Sequence, residues 1–247
     1  KHAAADLGRA AGYRNAGTVE FLFEPDTGEF WFMEVNARLQ VEHPITELTT
    51  GVDMVKLQLR VASRLPLEAP APATEGHAIE IRLNAEDPGT GFSPAPGELV
   101  VLRFPFGPGV RVDSGVEEGD EIAPEFDSMI AKVMAHGRDR SEAIARLRRA
   151  LEETTVVVRD GASNKSFVEW LMSTDRFHSG DFDTGWVDGL VEAGPVARGA
   201  EAGRVAGREE RVVQRPRGDR SLQVLRLRRR WRRVHVHPAD RARRQSA

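Results

Sequence analysis

Cysteine is absent from the 247 residues. That excludes disulfides, thiolate zinc sites and a cysteine nucleophile, and it fits a reducing compartment. Any metal must be held by oxygen or imidazole. Long apolar runs are missing too. None approaches the ~18 to 20 residues a membrane span needs, and the opening KHAAADLGRAAGY is a helical pattern ending at Gly12, not the apolar core of a secretory signal. A cytoplasmic protein with no membrane contact is expected. The first residue is Lys1, inside that helical pattern, so the natural chain is expected to begin further upstream.

Lysine is missing from the last fifty residues, where arginine is abundant. From Arg198 onward there are 16 Arg against 5 Asp and Glu, which leaves residues 1–197 at about −14 within a net charge of −3. A nucleic-acid arm would need lysine as well as a series of stacking aromatics, and Trp231 is the only aromatic there. No nucleic-acid partner is expected. Residues 191–247 read instead as a disordered, solvated tail or as the product of a shifted reading frame.

What is present is α+β. TVEFLF, a turn-rich EPDTGE and FWFMEVN read as a hairpin with period-2 alternation and Gly28 in its turn. An extended NARLQVEHP should follow, then an amphipathic helix from Asp53 to Arg64. The Pro/Ala-rich LPLEAPAPATEG reads as a linker. From His77 come an alternating strand, HAIEIRLN, several Pro/Gly-punctuated short strands, a helix DRSEAIARLRRALEE with Asp139 or Ser141 as N-cap, and a helix from Ser166 to Ser173.

A turn centred on Thr27 pairs Leu22 with Phe32 and Glu20 with Glu34. Two carboxylates facing each other across a ladder repel unless solvent or a cation lies between them. Mg²⁺ or Mn²⁺ is the natural guest, since hard cations take carboxylate oxygens together with nucleotide phosphates. If the chain stays extended, Glu34, Asn36, Arg38, Gln40 and Glu42 share one face. Arg38 offers a planar fork for a small oxyanion, and Glu42 could act as a base toward it. The same alternation also describes the wet face of an edge strand. Arg82 shares a strand face with Glu80 and Asn84, and an ordinary surface arginine would look no different. Lys132 and Asp127 read as packing and internal ion pairing.

GTVEFLFEPDTGEFWFMEVNARLQVEHPITELTTGVDMV resembles the signature region of biotin carboxylases and their ATP-grasp relatives. GHAIEIRLNAEDP, SPAPGELV, GPGVRVDSGVEEGDEI, FDSMIAK and DRSEAIARLRRAL follow in the order that family shows. The resemblance covers roughly Lys1 to Leu190. It implies the C-terminal part of an ATP-grasp domain (1–66), a linker (67–76) and a biotin carboxylase C-terminal domain (77–190).

The resemblance also assigns roles. Glu20, Glu34 and Asn36 match metal ligands, and Arg38, Gln40 and the Val41 backbone match the bicarbonate cradle. Glu42 matches the general base, and Arg82 the arginine that steadies the biotin enolate. Leu22 and Met33 match positions lining the adenine pocket. The implied reaction is ATP-dependent carboxylation of carrier-borne biotin through carboxyphosphate, the first half-reaction of an acetyl- or propionyl-CoA carboxylase. The implied partners are a carboxyltransferase subunit, a biotin carboxyl carrier domain and a second copy of the chain, with Arg111 at the dimer interface. Ala37 stands where many members have Thr. The family's lid and N-terminal domain would precede Lys1, so the piece is expected to be inactive alone. The alternatives are another ATP-grasp ligase, such as the carboxylase part of pyruvate carboxylase, or a non-catalytic assembly module.

Overall fold

The computed structural model describes residues 2–24, 26–67 and 72–192. The expected Arg-rich tail from residue 193 and the middle of the expected linker lie outside the described residues. In chain order the elements are α1 (His2–Ala10), β1 (Thr18–Phe23), β2 (Phe30–Asn36), α2 (His43–Thr50), α3 (Met54–Ala62), β3 (His77–Asn84), β4 (Glu86–Asp87) and β5 (Ser93–Pro94). There follow β6 (Gly97–Arg103), β7 (Val110–Ser114), β8 (Glu121–Ile122), β9 (Met129–Gly137), α4 (Arg140–Glu153), β10 (Thr155–Val158), α5 (Lys165–Met172), α6 (Asp175–Ser179) and α7 (Trp186–Glu192). The described residues form two compact units, one from 2–40 and 54–67, the other from 41–53 and 72–192.

The first unit is the antiparallel β1–β2 hairpin with α1 and α3. Glu20 pairs with Glu34, as expected. The expected pairing of Leu22 with Phe32 does not occur, because the register shifts between Glu20 and Phe21. Phe21 pairs with Phe32 and Leu22 with Trp31, which leaves Met33 as the extra residue of a β-bulge on β2. The bulge gathers Phe21 against Phe30 and Phe32, edge to face, with ring centroids 5.4 and 6.4 Å apart.

The stretch after the hairpin departs from expectation more sharply. Strand β2 ends at Asn36, and α2 begins at His43 within the segment expected to be extended. Proline is tolerated in a helix's first turn, where its missing N–H has no intrahelical partner to lose. Pro44 occupies that turn, Glu42 is the N-cap residue, and Gly51 ends the helix in the left-handed region at φ 70°. The helix expected over Asp53 to Arg64 forms as the shorter α3.

In the second unit β3, β9 and β7 form an antiparallel sheet in the order β3-β9-β7. Cross-strand partners share a face, so the register sorts the side chains. Ile81, Val133 and Val112 lie in one row, Ile79, Ala135 and Val110 in the next. This apolar face joins Ile144, Leu147 and Leu151 of α4 in the core. Asp139 caps α4 by accepting from the Glu142 amide at 2.8 Å, which selects it over Ser141, the other cap the sequence offered. Arg82, Lys132 and Asp113 form a row on the opposite face, with Glu80, Met134 and Arg111 beside it. That face meets α2.

Candidate functional site

On the hairpin, Glu20 and Glu34 stand opposite each other, and Asn36 sits two residues along β2 on the same side. The Asn36 amide Nδ2 donates to Glu20 Oε1 at 2.9 Å and to Glu34 Oε1 at 3.1 Å. Gln40 Nε2 reaches the same Glu20 oxygen at 3.4 Å. The structure therefore brings four of the expected residues together around two carboxylates. Neutral amide donors offset the repulsion of the like charges that the ladder forces together.

Two carboxylates and an amide make a hard, oxygen-rich donor set that suits Mg²⁺ or Mn²⁺. Among the described residues no group of three or more His, Asp or Glu could enclose a metal. A cation here would keep most of its sphere for water and phosphate oxygens, as magnesium at nucleotide sites does. Arg38 is exposed, and its Nη1 donates to the Leu39 carbonyl at 3.3 Å. Leu22 is 45% exposed and Met33 half-buried.

In the second unit, Arg82 is no ordinary surface arginine. Its Nη2 donates to Glu42 Oε2 at 3.2 Å, joining residues 40 apart in the chain. Glu42 is placed by the start of α2, not by continuation of the hairpin strand. Period-2 counting from Glu34 to Glu42 is thus broken by the turn at Val41 and Glu42, because a helix start re-aims the side chain.

The remaining charges on this face were not singled out in the sequence as part of a site. Lys132 pairs with Asp113 at 3.2 Å and donates to the Val41 carbonyl at 3.2 Å. Arg111 forks onto Asp113, through Nε at 2.8 Å and Nη2 at 2.9 Å, and reaches Glu47 of α2 at 2.5 Å. Burial pushes the Asp113 carboxyl up, but the hydrogen bonds from Arg111 and Lys132 outweigh it and hold it below its ordinary value. The fork onto Asp113 likewise raises the Arg111 guanidinium against the opposing effect of burial. Burial pushes the Glu80 carboxyl up to about 7, against the pull of Lys132 and Arg82. Glu80 Oε2 finds no hydrogen-bond partner among the described residues. A signal for this cluster exists in the sequence: Lys132 is the one charge inside the apolar run MIAKVMA. Only the register of β7 and β9 shows what it faces. Asp127, expected in internal ion pairing, instead accepts from the Met129 amide at 3.0 Å.

Residues 80–189 match the family described as the biotin carboxylase C-terminal domain, and residues 1–69 the ATP-binding domain of the carbamoyl-phosphate synthase L chain. Biotin carboxylase 1 of Bacillus subtilis is 45% identical over 188 residues, which are 75% of this chain and 41% of that protein. A pyruvate carboxylase subunit of Methanothermobacter thermautotrophicus is 49% identical over 179 residues, 72% of this chain and 36% of the relative. The chain thus spans well under half the length of these relatives. Among solved structures, the biotin carboxylase domain dimer of Hydrogenobacter thermophilus 2-oxoglutarate carboxylase, in complex with MgADP, ADP and bicarbonate, superposes with a TM-score of 0.72 at 35% identity. That match covers 76% of this chain and 41% of the other.

Proposed function

From a chain that belongs to the biotin carboxylase family over the part it spans, we propose ATP-dependent carboxylation of biotin on a carrier protein as the function of the whole protein. The observation that carries this is the Arg82–Glu42 contact. It joins a carboxylate able to take a proton to a guanidinium able to receive developing negative charge. It links the RLQVEHP segment to the GHAIEIRLN strand, two of the stretches that resemble the family.

In this mechanism Arg38, Gln40 and the Val41 backbone hold bicarbonate, and Glu42 removes its proton. The freed oxygen attacks the γ-phosphorus of ATP, ADP departs, and carboxyphosphate breaks down to CO₂ and phosphate. The phosphate takes the N1 proton of biotin, and Arg82 donates to the enolate oxygen while the ring nitrogen attacks CO₂. Glu20, Glu34 and Asn36 would hold Mg²⁺ or Mn²⁺, which when bound neutralises charge on the nucleotide phosphates. Leu22 and Met33 serve the adenine ring.

The same proposal divides the chain into the end of an ATP-grasp domain (1–66), a linker (67–76) and a biotin carboxylase C-terminal domain (77–190). The partners are a carboxyltransferase subunit, a biotin carboxyl carrier domain and a second copy of the chain, with Arg111 near the dimer contact, in the cytoplasm. Among the described residues no helix is long and apolar enough to cross a membrane. Service to a pyruvate carboxylase is the second reading, supported by the Methanothermobacter relative. It keeps the half-reaction and changes only the final acceptor.

The test is Glu42→Ala in the protein expressed from its complete gene, assayed for bicarbonate-dependent phosphate release and for carboxybiotin. Loss of a general base should lower both by about 100-fold or more. Undiminished carboxylation would return the chain to a non-catalytic assembly role.

A further inference from the structure

We infer that Lys132 is a positioning residue for Glu42, acting through a clamp that it forms with Asp113 and Arg111. The inference rests on the assignment of Glu42 as the general base and adds to it the device that aims that base.

Lys132 lies in the middle of β9 and is only 8% exposed. A methionine or leucine would occupy such a position without the desolvation cost of an ammonium group. The charge therefore needs a reason beyond packing, and its contacts supply one. Lys132 Nζ donates to the Val41 carbonyl at 3.2 Å and is held in turn by Asp113 at 3.2 Å. The Val41 carbonyl belongs to the same planar peptide unit as the Glu42 amide nitrogen. Fixing that oxygen fixes the plane from which the Glu42 side chain departs.

The far side of Glu42 is anchored by the same device. Asp113 also receives the Arg111 fork, and Arg111 extends to Glu47 on α2. Glu42 itself meets Arg82, the cross-strand neighbour of Lys132. Three cations on adjacent strands thus grip three successive points of one short segment: a carbonyl before the base, the base itself, and a carboxylate five residues beyond it. Asp113 ties two of the three cations together. A base whose useful position is set by the turn into a helix needs such restraint, because helix termini fray and the capping residue carries no side-chain cap bond of its own here. Placement errors of an ångström at a reacting group are costly.

The experiment uses Lys132→Met, Lys132→Arg, Glu47→Gln and Glu42→Gln in the protein expressed from its complete gene. Each is read for kcat and KM in bicarbonate-dependent ATP hydrolysis, for the pH profile of kcat, and for Tm. Lys132→Met should lower kcat by about tenfold or more, with KM for ATP nearly unchanged. It should also move the acid limb of the profile to higher pH, since a cation near the base is lost, and Lys132→Arg should restore part of both. Glu47→Gln, which releases only the far anchor, should move kcat in the same direction by less, and it serves if Lys132→Met does not fold. A folded Lys132→Met with wild-type kcat and acid limb would overturn the proposal. So would variants that lower Tm while the folded enzyme keeps its rate and profile. If Glu42→Gln abolishes turnover while both clamp variants behave as wild type, the clamp alone is refuted. If Glu42→Gln turns over normally, the base assignment falls and takes the clamp with it.

Discussion

Glu80 shows how a carboxyl can sit beside two cations and still resist ionisation. Its burial outweighs the attraction of Lys132 and Arg82, while Asp113 repels it and Arg111 adds a weaker pull. The sign of the pH effect follows. With the folded value raised from 4.5 to about 7, the folded state binds more proton than the unfolded state between those pH values, so stability falls as pH rises through that window. Glu80→Gln imitates the protonated form. It should leave stability near pH 4.5 unchanged and raise it above pH 7 by on the order of 2–3 kcal/mol. Urea unfolding of the chain at pH 5 and pH 8 checks this, and an equal shift at both values would speak against it. The same residues show what single positions reveal. Glu20 opposite Glu34 follows from a turn at Thr27 and a two-residue period, yet the turn forms half a residue earlier and it is the bulge at Met33 that restores the pairing. The Arg82–Glu42 contact was not legible, because nothing local ties residues 40 apart; alternation offered Glu42 as a base, and only the resemblance gave Arg82 a role.

At the scale of elements, the legible features were those governed by short-range rules. The α4 cap at Asp139 and strand β3 over HAIEIRLN formed where capping chemistry and alternation put them. Two features escaped. The bulge at Met33 leaves no mark on the alternation of TVEFLF and FWFMEVN taken separately, since a register shift belongs to the pair of strands. Helix α2 was hidden because proline reads as a breaker unless its place in the first turn is known. Strand β7, which presents Arg111 and Asp113, begins after Gly109, whose φ is +71°. A Cβ there would lie 2.5 Å from the His136 carbonyl oxygen, and the Gly109 carbonyl itself accepts from the His136 amide at 2.8 Å. Gly109→Ala combines an unfavourable backbone conformation with a clash against backbone, and should cost more than about 1 kcal/mol. A thermal melt with the wild-type midpoint would show that β7 can move aside.

For the whole molecule, the two units differ in how much they bury. Among the described residues every member of the buried hydrophobic core belongs to the second unit, while the first exposes Phe30, Trp31 and Phe32 by more than half and Leu59 by 64%. Opening free energies follow buried apolar contact. Amide hydrogen exchange in this chain should therefore be slowest in β3, β9 and α4, and faster by orders of magnitude in α1, β1, β2 and α3. Uniform protection across both units, read by mass spectrometry, would contradict this. Composition foretold none of the contrast, because the apolar residues of the hairpin look as fit for a core as those of β9.

Strand β9 is read from both sides at once: Val133 and Ala135 serve the core, Lys132 and Met134 the charged face. That arrangement makes the strand even less tolerant of changes in length than of substitution. Deleting one residue between Met129 and Lys132 would swing every side chain beyond it to the other face, sending the ammonium toward α4 and a valine toward α2. Variation in this part of the gene should accumulate as point changes within each face, with insertions and deletions confined to the turns on either side.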